Sequence, residues 1–425
     1  MNKCAFTICT NSYIGIAETL RDSFLKHNQS YDFFIVVADD EEKSEKEYIC
    51  AAKTAMNLSE EKYYEMAFKY NVTEFCTSIK PFAFQYFLNA GFELAIFLDP
   101  DIMVYSSFDE LETHTASIYL TPHITEIEPR IKNEWPQEFF LRFGVFNCGF
   151  IAFRNDDEAQ KILHWWGEKL KDFSFSDTDT GIYTDQKWIE LLSGFSDIVQ
   201  VYIIKNLGYD VAPWNFSERY IMNENNHLSV LDRETMKTKH ELCFVHYSTF
   251  NYKKLITSNE IVSRDKITFI PEDILQLIEG YKNELIKHNV LNNINKKYLY
   301  NFYDNGQLIT PLHRRLYRAA LDENFSFGLP FATKENSFYS LMVSSKIIRD
   351  GQNNDNNFTT DNKPDDNDLK IKFMKWLLRL AFKLLKPDKY LMLLKGFRKF
   401  SRIENNLFLF KETELKKYAS EFKVK

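Results

Sequence analysis

Nowhere in the 425 residues does a Cys-x-x-Cys pair occur. The six cysteines (Cys4, Cys9, Cys50, Cys76, Cys148 and Cys243) are scattered, and most sit in apolar, strand-like runs. This argues against a disulfide framework or a cysteine zinc site and predicts reduced core thiols of a cytoplasmic protein. Also missing is any apolar run near the roughly 18 residues that a membrane span requires. At the N-terminus, Thr7, Thr10, Asn11 and Ser12 interrupt "MNKCAFTICTNSYIG" too early for a signal-peptide core. A basic excess is lacking too: the formal net charge is −7, so the chain as a whole is no nucleic-acid binder. No internal repeat is present.

What is there suits a soluble α/β protein of one large or two ordinary domains, with 44% hydrophobic and 27% charged residues. Aromatic content is high, 16% with 38 Phe, which serves core filling before it serves stacking on sugars or bases. "CAFTIC" (4–9) and "DFFIVVA" (32–38) read as buried strands separated by the helical "IAETLRDSFLKH". Helices are predicted near 59–70 and 80–90, the second closed by Gly91 before the strand "ELAIFL". "SIYLTPH", "NCGFIAFR", "DIVQVYII" and "ELCFVHY" continue the strands, and "DDEAQKILHWWGEKL" and "DQKWIELL" the helices. Such alternation predicts a mixed, mainly parallel sheet with helices on both faces, in which ligands gather at the carboxyl ends of strands.

At one such end stands "FLDPDIMVY" (97–105), two carboxylates around a rigid proline after an apolar run, with no neighbouring Lys or Arg. Desolvated acids so placed repel one another and need a cation. A pair of hard oxygen ligands suits Mn²⁺ or Mg²⁺ completed by substrate phosphates. On spacing alone the bland alternative, a turn with solvated acids, is favoured; position in the chain and the surrounding motifs weigh the other way.

Those motifs are "TNSY" at the end of the first strand, "SIKPFAF", "FLDPDIMVY", "FNCGFIAFR", "TDQKWIELL", "VAPWNF" and "FVHYSTF", in that order over residues 4–250. In this the chain resembles the metal-dependent nucleotide-sugar glycosyltransferases of the GT-A fold, particularly bacterial relatives of glycosyltransferase family eight. "FYDNGQLITPLHRRLYR" (302–318) is similar to a trailing element of some bacterial members. The resemblance implies a retaining transfer from a nucleotide diphosphate sugar, most often a UDP-sugar, to a glycan or lipid-linked acceptor. Asp99, Asp101 and His246 would hold the metal. Thr10, Asn11, Asp39, Lys80, Asn147, Gly149 and Asn215 would bind the donor, with Trp214 and His123 as further wall residues. Asp185 and Gln186 would line the sugar pocket, the glutamine beside the anomeric carbon. The family follows its histidine with glycine and a lysine-proline pair, whereas this chain reads "HYSTFNYKK", so Lys253 or Lys254 would serve the diphosphate in a displaced register.

Each residue has a plainer reading: His246 as a core histidine, Asp185 as a helix N-terminal acid, Thr10, Asn11 and Asp39 as turn and cap residues, Lys80 as a surface lysine. Rival functions are a degenerate, scaffolding glycosyltransferase domain and a DxD phosphatase. Phosphatases of the latter kind carry the motif on the first strand, and nucleotidyltransferases need a glycine-rich loop that "TNSYIGIAETL" lacks.

The domain reading is a catalytic domain at 1–265, a helical accessory region at 266–345, a disordered linker at 346–368 and a basic amphipathic tail at 369–425. From Leu369 to Arg402 eleven Lys or Arg accompany one acid, Asp388. Lys372, Lys375, Arg379, Lys383 and Lys386 share a helical face opposite a Leu-rich one. That pattern predicts peripheral attachment to the inner face of an anionic cell membrane, the alternative being packing on protein.

Overall fold

Short runs of Phe, Ile and Val build the central sheet of the computed structural model, which describes residues 2–39, 46–127, 135–195, 200–262, 270–348 and 369–419. Its strands include β1 (Lys3–Cys9), β2 (Tyr31–Val37), β3 (Ile49–Ala51), β4 (Leu94–Leu98), β6 (Ile118–Pro122) and β7 (Phe146–Arg154). A separate strand, β5 (Ile102–Val104), follows the acidic turn. The order is Val201–Ile203, β6, β7, β4, β1, β2, β3. Neighbours run parallel except β7, which is antiparallel to both β4 and β6. Every residue of β1 is buried, as expected for a strand covered on both faces. Ala5 and Cys9 join Ala17, Leu20 and Phe24 of helix Ile14–His27 in one cluster. On the opposite face Phe6 meets Phe84 and Phe87 of helix Val72–Asn89, and Phe84 meets Phe153. The expected mixed, mainly parallel α/β architecture is therefore observed.

Residues 80–90 are part of a longer helix than the sequence pattern predicts. The helix runs from Val72 to Asn89, with Pro81 inside it. An interior proline costs about 3 kcal/mol. Burial of Phe75, Ile79, Phe82, Phe84, Phe87 and Leu88 outweighs that cost, at roughly 1.5–3 kcal/mol per large apolar side chain. As a result Lys80 lies within the helix and is buried, not at its entrance.

Two compact units divide the chain, Met1–Leu58 with Val72–Tyr298, and Ser59–Asn71 with Leu299–Lys425. Residues 270–298, grouped by sequence with a helical accessory region, fold in the first unit. There Ile274, Leu277, Ile278, Tyr281 and Leu285 share a cluster with Val211, Val245 and Tyr247, and the Tyr281 and Tyr247 rings stack 4.0 Å apart. The expected linker, from residue 349 on, lies outside the described residues.

In the second unit, Phe68 of helix Glu60–Lys69 packs with Leu316 and Tyr317 of helix Pro311–Asp322 and with Phe338, Leu341 and Met342 of helix Phe338–Ser344. Arg314 joins the parts. Its guanidinium donates to the carbonyls of Phe68 (2.6 Å) and Tyr70 (2.7 Å), which close helix Glu60–Lys69, and to that of Tyr300 (2.6 Å). Helix-terminal carbonyls have no partner within their own helix, so a buried arginine is a complete solution. The basic tail forms two helices, Leu369–Leu384 and Pro387–Ser401, neither with a buried residue. The chain then returns: Phe410 enters the unit's core, and Glu404 binds Arg318 at 3.1 Å. No described helix is long and apolar enough to cross a membrane.

Replacing Arg314 by Met should remove these hydrogen bonds and destabilise the second unit by about 3 kcal/mol. Hydrogen exchange of residues 60–70 and a thermal melt read the effect; wild-type protection in the variant would contradict it.

Candidate metal and donor site

Strand β4 ends at Leu98, and Asp99, Pro100 and Asp101 turn the chain into β5. Strand Phe244–His246 pairs antiparallel with β5, putting His246 opposite Ile102, and the Tyr247 N–H donates to the Asp101 carbonyl at 2.9 Å. This pairing brings the imidazole to the acids. His246 Nε2 lies 3.2 Å from Asp101 Oδ1 and 3.7 Å from Asp99 Oδ2. One ligand atom each from Asp99, Asp101 and His246 falls within 4.8 Å of the others.

Gly149 sits where the pairing of β6 with β7 loses register, a local irregularity of the kind that re-aims side chains. Its carbonyl accepts the Asp99 N–H at 2.7 Å. A Cβ there would lie 2.5 Å from Asn147 Oδ1, 2.5 Å from His246 Cε1 and 2.9 Å from Asp99 Oδ2. Glycine is thus required by the close approach of these three side chains.

Lys80 reaches the same corner from its helix. The buried ammonium is 2.8 Å from Asp185 Oδ2, 2.8 Å from the Cys148 carbonyl and 3.9 Å from Asp99 Oδ1. Four carboxylates (Asp99, Asp101, Asp185 and Asp210) therefore crowd around one lysine and one imidazole. Desolvation raises the Asp99 pKa, only partly countered by Lys80 and His246, and repulsion from Asp101 adds to it. For Asp101, burial is outweighed by His246 and by Tyr252, whose hydroxyl is 2.8 Å away, and the carboxyl is held low. Burial opposes the imidazolium of His246, but Asp101, Asp210 and Asp99 together raise its pKa. The cluster has more anionic groups than its own cations neutralise. Two carboxylates and an imidazole are a donor set that Mn²⁺ or Mg²⁺ accepts, so the residues fit a divalent ion.

Around this centre the other expected residues take definite places. Gln186 accepts the Cys148 N–H (3.0 Å) and donates to the Phe143 carbonyl (2.8 Å), so its amide is held against β7. Asn147 accepts from the Gly149 N–H at 2.9 Å, and its Nδ2 is 3.3 Å from His123 Nε2. Burial lowers the His123 pKa to about 4, leaving a neutral ring that accepts from Asn147. At the ends of β1 and β2, the Asn11 N–H donates to Asp39 Oδ1 (2.7 Å), and the Thr10 and Ser12 hydroxyls are 2.8 Å apart. Asn215 is fully buried. It accepts from the Ala212 N–H (2.9 Å) and donates to the carbonyls of His123 (3.0 Å) and Asp210 (2.9 Å), so both ends of its amide hold backbone. Trp214 packs edge-on to both His123 and His246. Lys253 and Lys254 stand exposed on helix Tyr252–Ser258, Lys253 bonded to Asn295 at 3.0 Å.

Sequence reasoning missed Tyr252 and Asp210. A tyrosine after "STFN" and an aspartate before "VAPWNF" have no spacing signal, because contacts between segments distant in sequence bring both to the site.

No protein-family model matches the chain. It is 29% identical over 198 residues to the uncharacterized protein YfnD of Bacillus subtilis, covering 44% of this chain and 56% of that one. With YfnF of the same organism it shares 23% identity over 208 residues, 47% of this chain and 65% of the relative. The chain thus spans less than two thirds of the length of either relative. Among solved structures, the galactosyltransferase LgtC in complex with donor and acceptor sugar analogs aligns with 64% of this chain and 99% of its own, at 15% identity and a TM-score of 0.37. A likeness so distant carries no functional argument, which must come from the site.

Proposed function

We propose that the chain is a GT-A glycosyltransferase that moves a sugar from a nucleotide diphosphate donor, a UDP-sugar in the first instance, to a hydroxyl of a glycan or lipid-linked acceptor in surface polysaccharide synthesis. One observation carries the reading. Asp99, Asp101 and His246 converge at the carboxyl end of β4, beside a glycine whose missing side chain leaves room and a glutamine fixed by backbone on both sides. Mn²⁺ or Mg²⁺ held by these three residues would supply positive charge at the departing diphosphate.

The remaining roles belong to the chain's own residues. Lys80 pairs with Asp185 and stands near Asp99, which puts one cation beside two acids. Thr10, Asn11 and Asp39 provide polar groups at adjacent strand ends for the nucleoside. Asn147 and the Gly149 backbone meet sugar hydroxyls, while Asn215 braces the wall behind them. In the transfer, the bond from the anomeric carbon to the phosphate oxygen breaks with its electron pair going to the diphosphate. The acceptor oxygen bonds the same carbon, and its proton passes to the departing phosphate oxygen. Asp185 is already paired with Lys80, and Gln186 cannot act as a base, so attack on the face of the leaving phosphate, with retention, is the reading this arrangement supports.

The tail supports a second element of the proposal. Leu369, Phe373, Trp376, Leu384 and Met392 are all at least half exposed, on two helices rich in Lys and Arg. We place this pair on the inner, anionic face of the cell membrane, near lipid-linked acceptors.

Two experiments test the proposal. With Mn²⁺ and a panel of sugar nucleotides, the wild-type chain should gain thermal stability and hydrolyse one donor slowly, and both effects should vanish in Asp101→Asn. NMR of the transfer product should give the donor's anomeric configuration. Equal behaviour of variant and wild type would remove the metal, and an inverted product would remove retention. Separately, the full chain should sediment with vesicles containing anionic lipid, and a chain ending at residue 368 should not; unchanged sedimentation would refute the attachment.

A further inference from the structure

Asp210 is completely buried, and neither of its carboxylate oxygens has a hydrogen-bond partner among the described residues. The same holds for His246 Nδ1, and the two face each other: Nδ1 is 3.6 Å from Asp210 Oδ1, while Nε2 points to Asp101 and Asp99. Burying a carboxylate without hydrogen bonds is strongly unfavourable, so packing gives no reason for an acid here. Arg219 is also buried nearby, but the donors it uses, from Nη1, go to the carbonyls of Leu207 and Tyr209 and not to the Asp210 carboxylate.

The backbone fixes this juxtaposition. Asp210 lies in the left-handed region at φ 55°, a conformation that Asp, Asn and Gly tolerate best. The Val211 N–H donates to the Phe244 carbonyl (3.2 Å), and the His246 N–H to the Val211 carbonyl (2.8 Å). Asn215 holds the Asp210 carbonyl at 2.9 Å. Val211, directly after Asp210, is thus bonded to the strand carrying the imidazole.

We propose that Asp210 is a positioning residue that orients the His246 ring and holds its proton on Nδ1, so that Nε2 is presented as a lone-pair donor to the divalent ion. Metal-bound histidines are commonly oriented through their second nitrogen in this way, and loss of the orienting carboxylate weakens metal affinity about 10- to 100-fold. The role rests on the metal reading above. Asp210 faces the ring nitrogen opposite the one directed at Asp99 and Asp101.

The test compares the full-length wild type with Asp210→Asn, Asp210→Gly, Asp101→Asn and His246→Gln, and with a His246→Gln/Asp210→Asn double variant. Free Mn²⁺ is titrated by electron spin resonance, nitrogen ligation is read by spin-echo modulation, and folding by circular dichroism. Asp210→Asn should raise the Mn²⁺ Kd about 10- to 100-fold with the fold intact and weaken the imidazole nitrogen signal. In the His246→Gln background it should add nothing. Asp210→Gly, equally at ease at this backbone angle, gives the same answer if the asparagine variant does not fold. An unchanged Kd and nitrogen signal in a folded Asp210 variant, with binding lost in Asp101→Asn, would overturn this role alone. Undiminished weakening in the His246→Gln background would also overturn it, by showing a general structural effect. A wild-type chain that binds no Mn²⁺ would overturn the metal reading and this role with it.

Discussion

Two aspartates at the end of a buried strand cannot both remain charged unless something cationic is brought to them, and most of the first unit is arranged around that requirement. Strand β4 delivers Asp99 and Asp101 to a partly desolvated corner. Helix Val72–Asn89 brings Lys80, and the pairing of Phe244–His246 with β5 brings His246. These two groups restrain the repulsion without ending it, since Asp185 takes up much of Lys80 and burial opposes the imidazolium. The proposed divalent ion has the charge and ligand preference that would complete the balance.

The same requirement explains several features that would otherwise be liabilities. Gly149 leaves an element interior without a side chain because any Cβ would strike three groups of the site. Pro81 inside a helix is tolerated because the helix is anchored by a row of phenylalanines, and it is this helix that carries Lys80. Asn215 and Asp210 hold a wall segment in fixed relation to the histidine. Stability is given up at particular positions and recovered through the apolar clusters on both faces of the sheet.

Much of this was legible in the sequence, for physical reasons. Strands buried on both faces are continuous runs of Phe, Ile and Val, so β1, β2 and β4 could be read directly, and the acid pair stood out because charge after such a run needs an explanation. The first turns of helix Val72–Asn89 are not legible as part of it, because the burial of Phe75 and Ile79 is set by contacts distant in sequence. Asp210 and Tyr252 were invisible for a related cause: each matters through a contact between segments far apart in the chain, and one sequence gives no spacing rule for that. The division into units was hidden likewise. Helix Glu60–Lys69 belongs with residues 240 positions later because Arg314 caps its carbonyls, a partnership no local pattern announces.

The central claim concerns where a cation resides. Crystals of the full-length chain grown with Mn²⁺ and a nucleotide diphosphate sugar, measured at the manganese absorption edge, address it directly. The account predicts an anomalous peak within bonding distance of Asp99, Asp101 and His246, touching the donor's diphosphate. A well-ordered donor with no such peak, or a peak away from these three side chains, would contradict it.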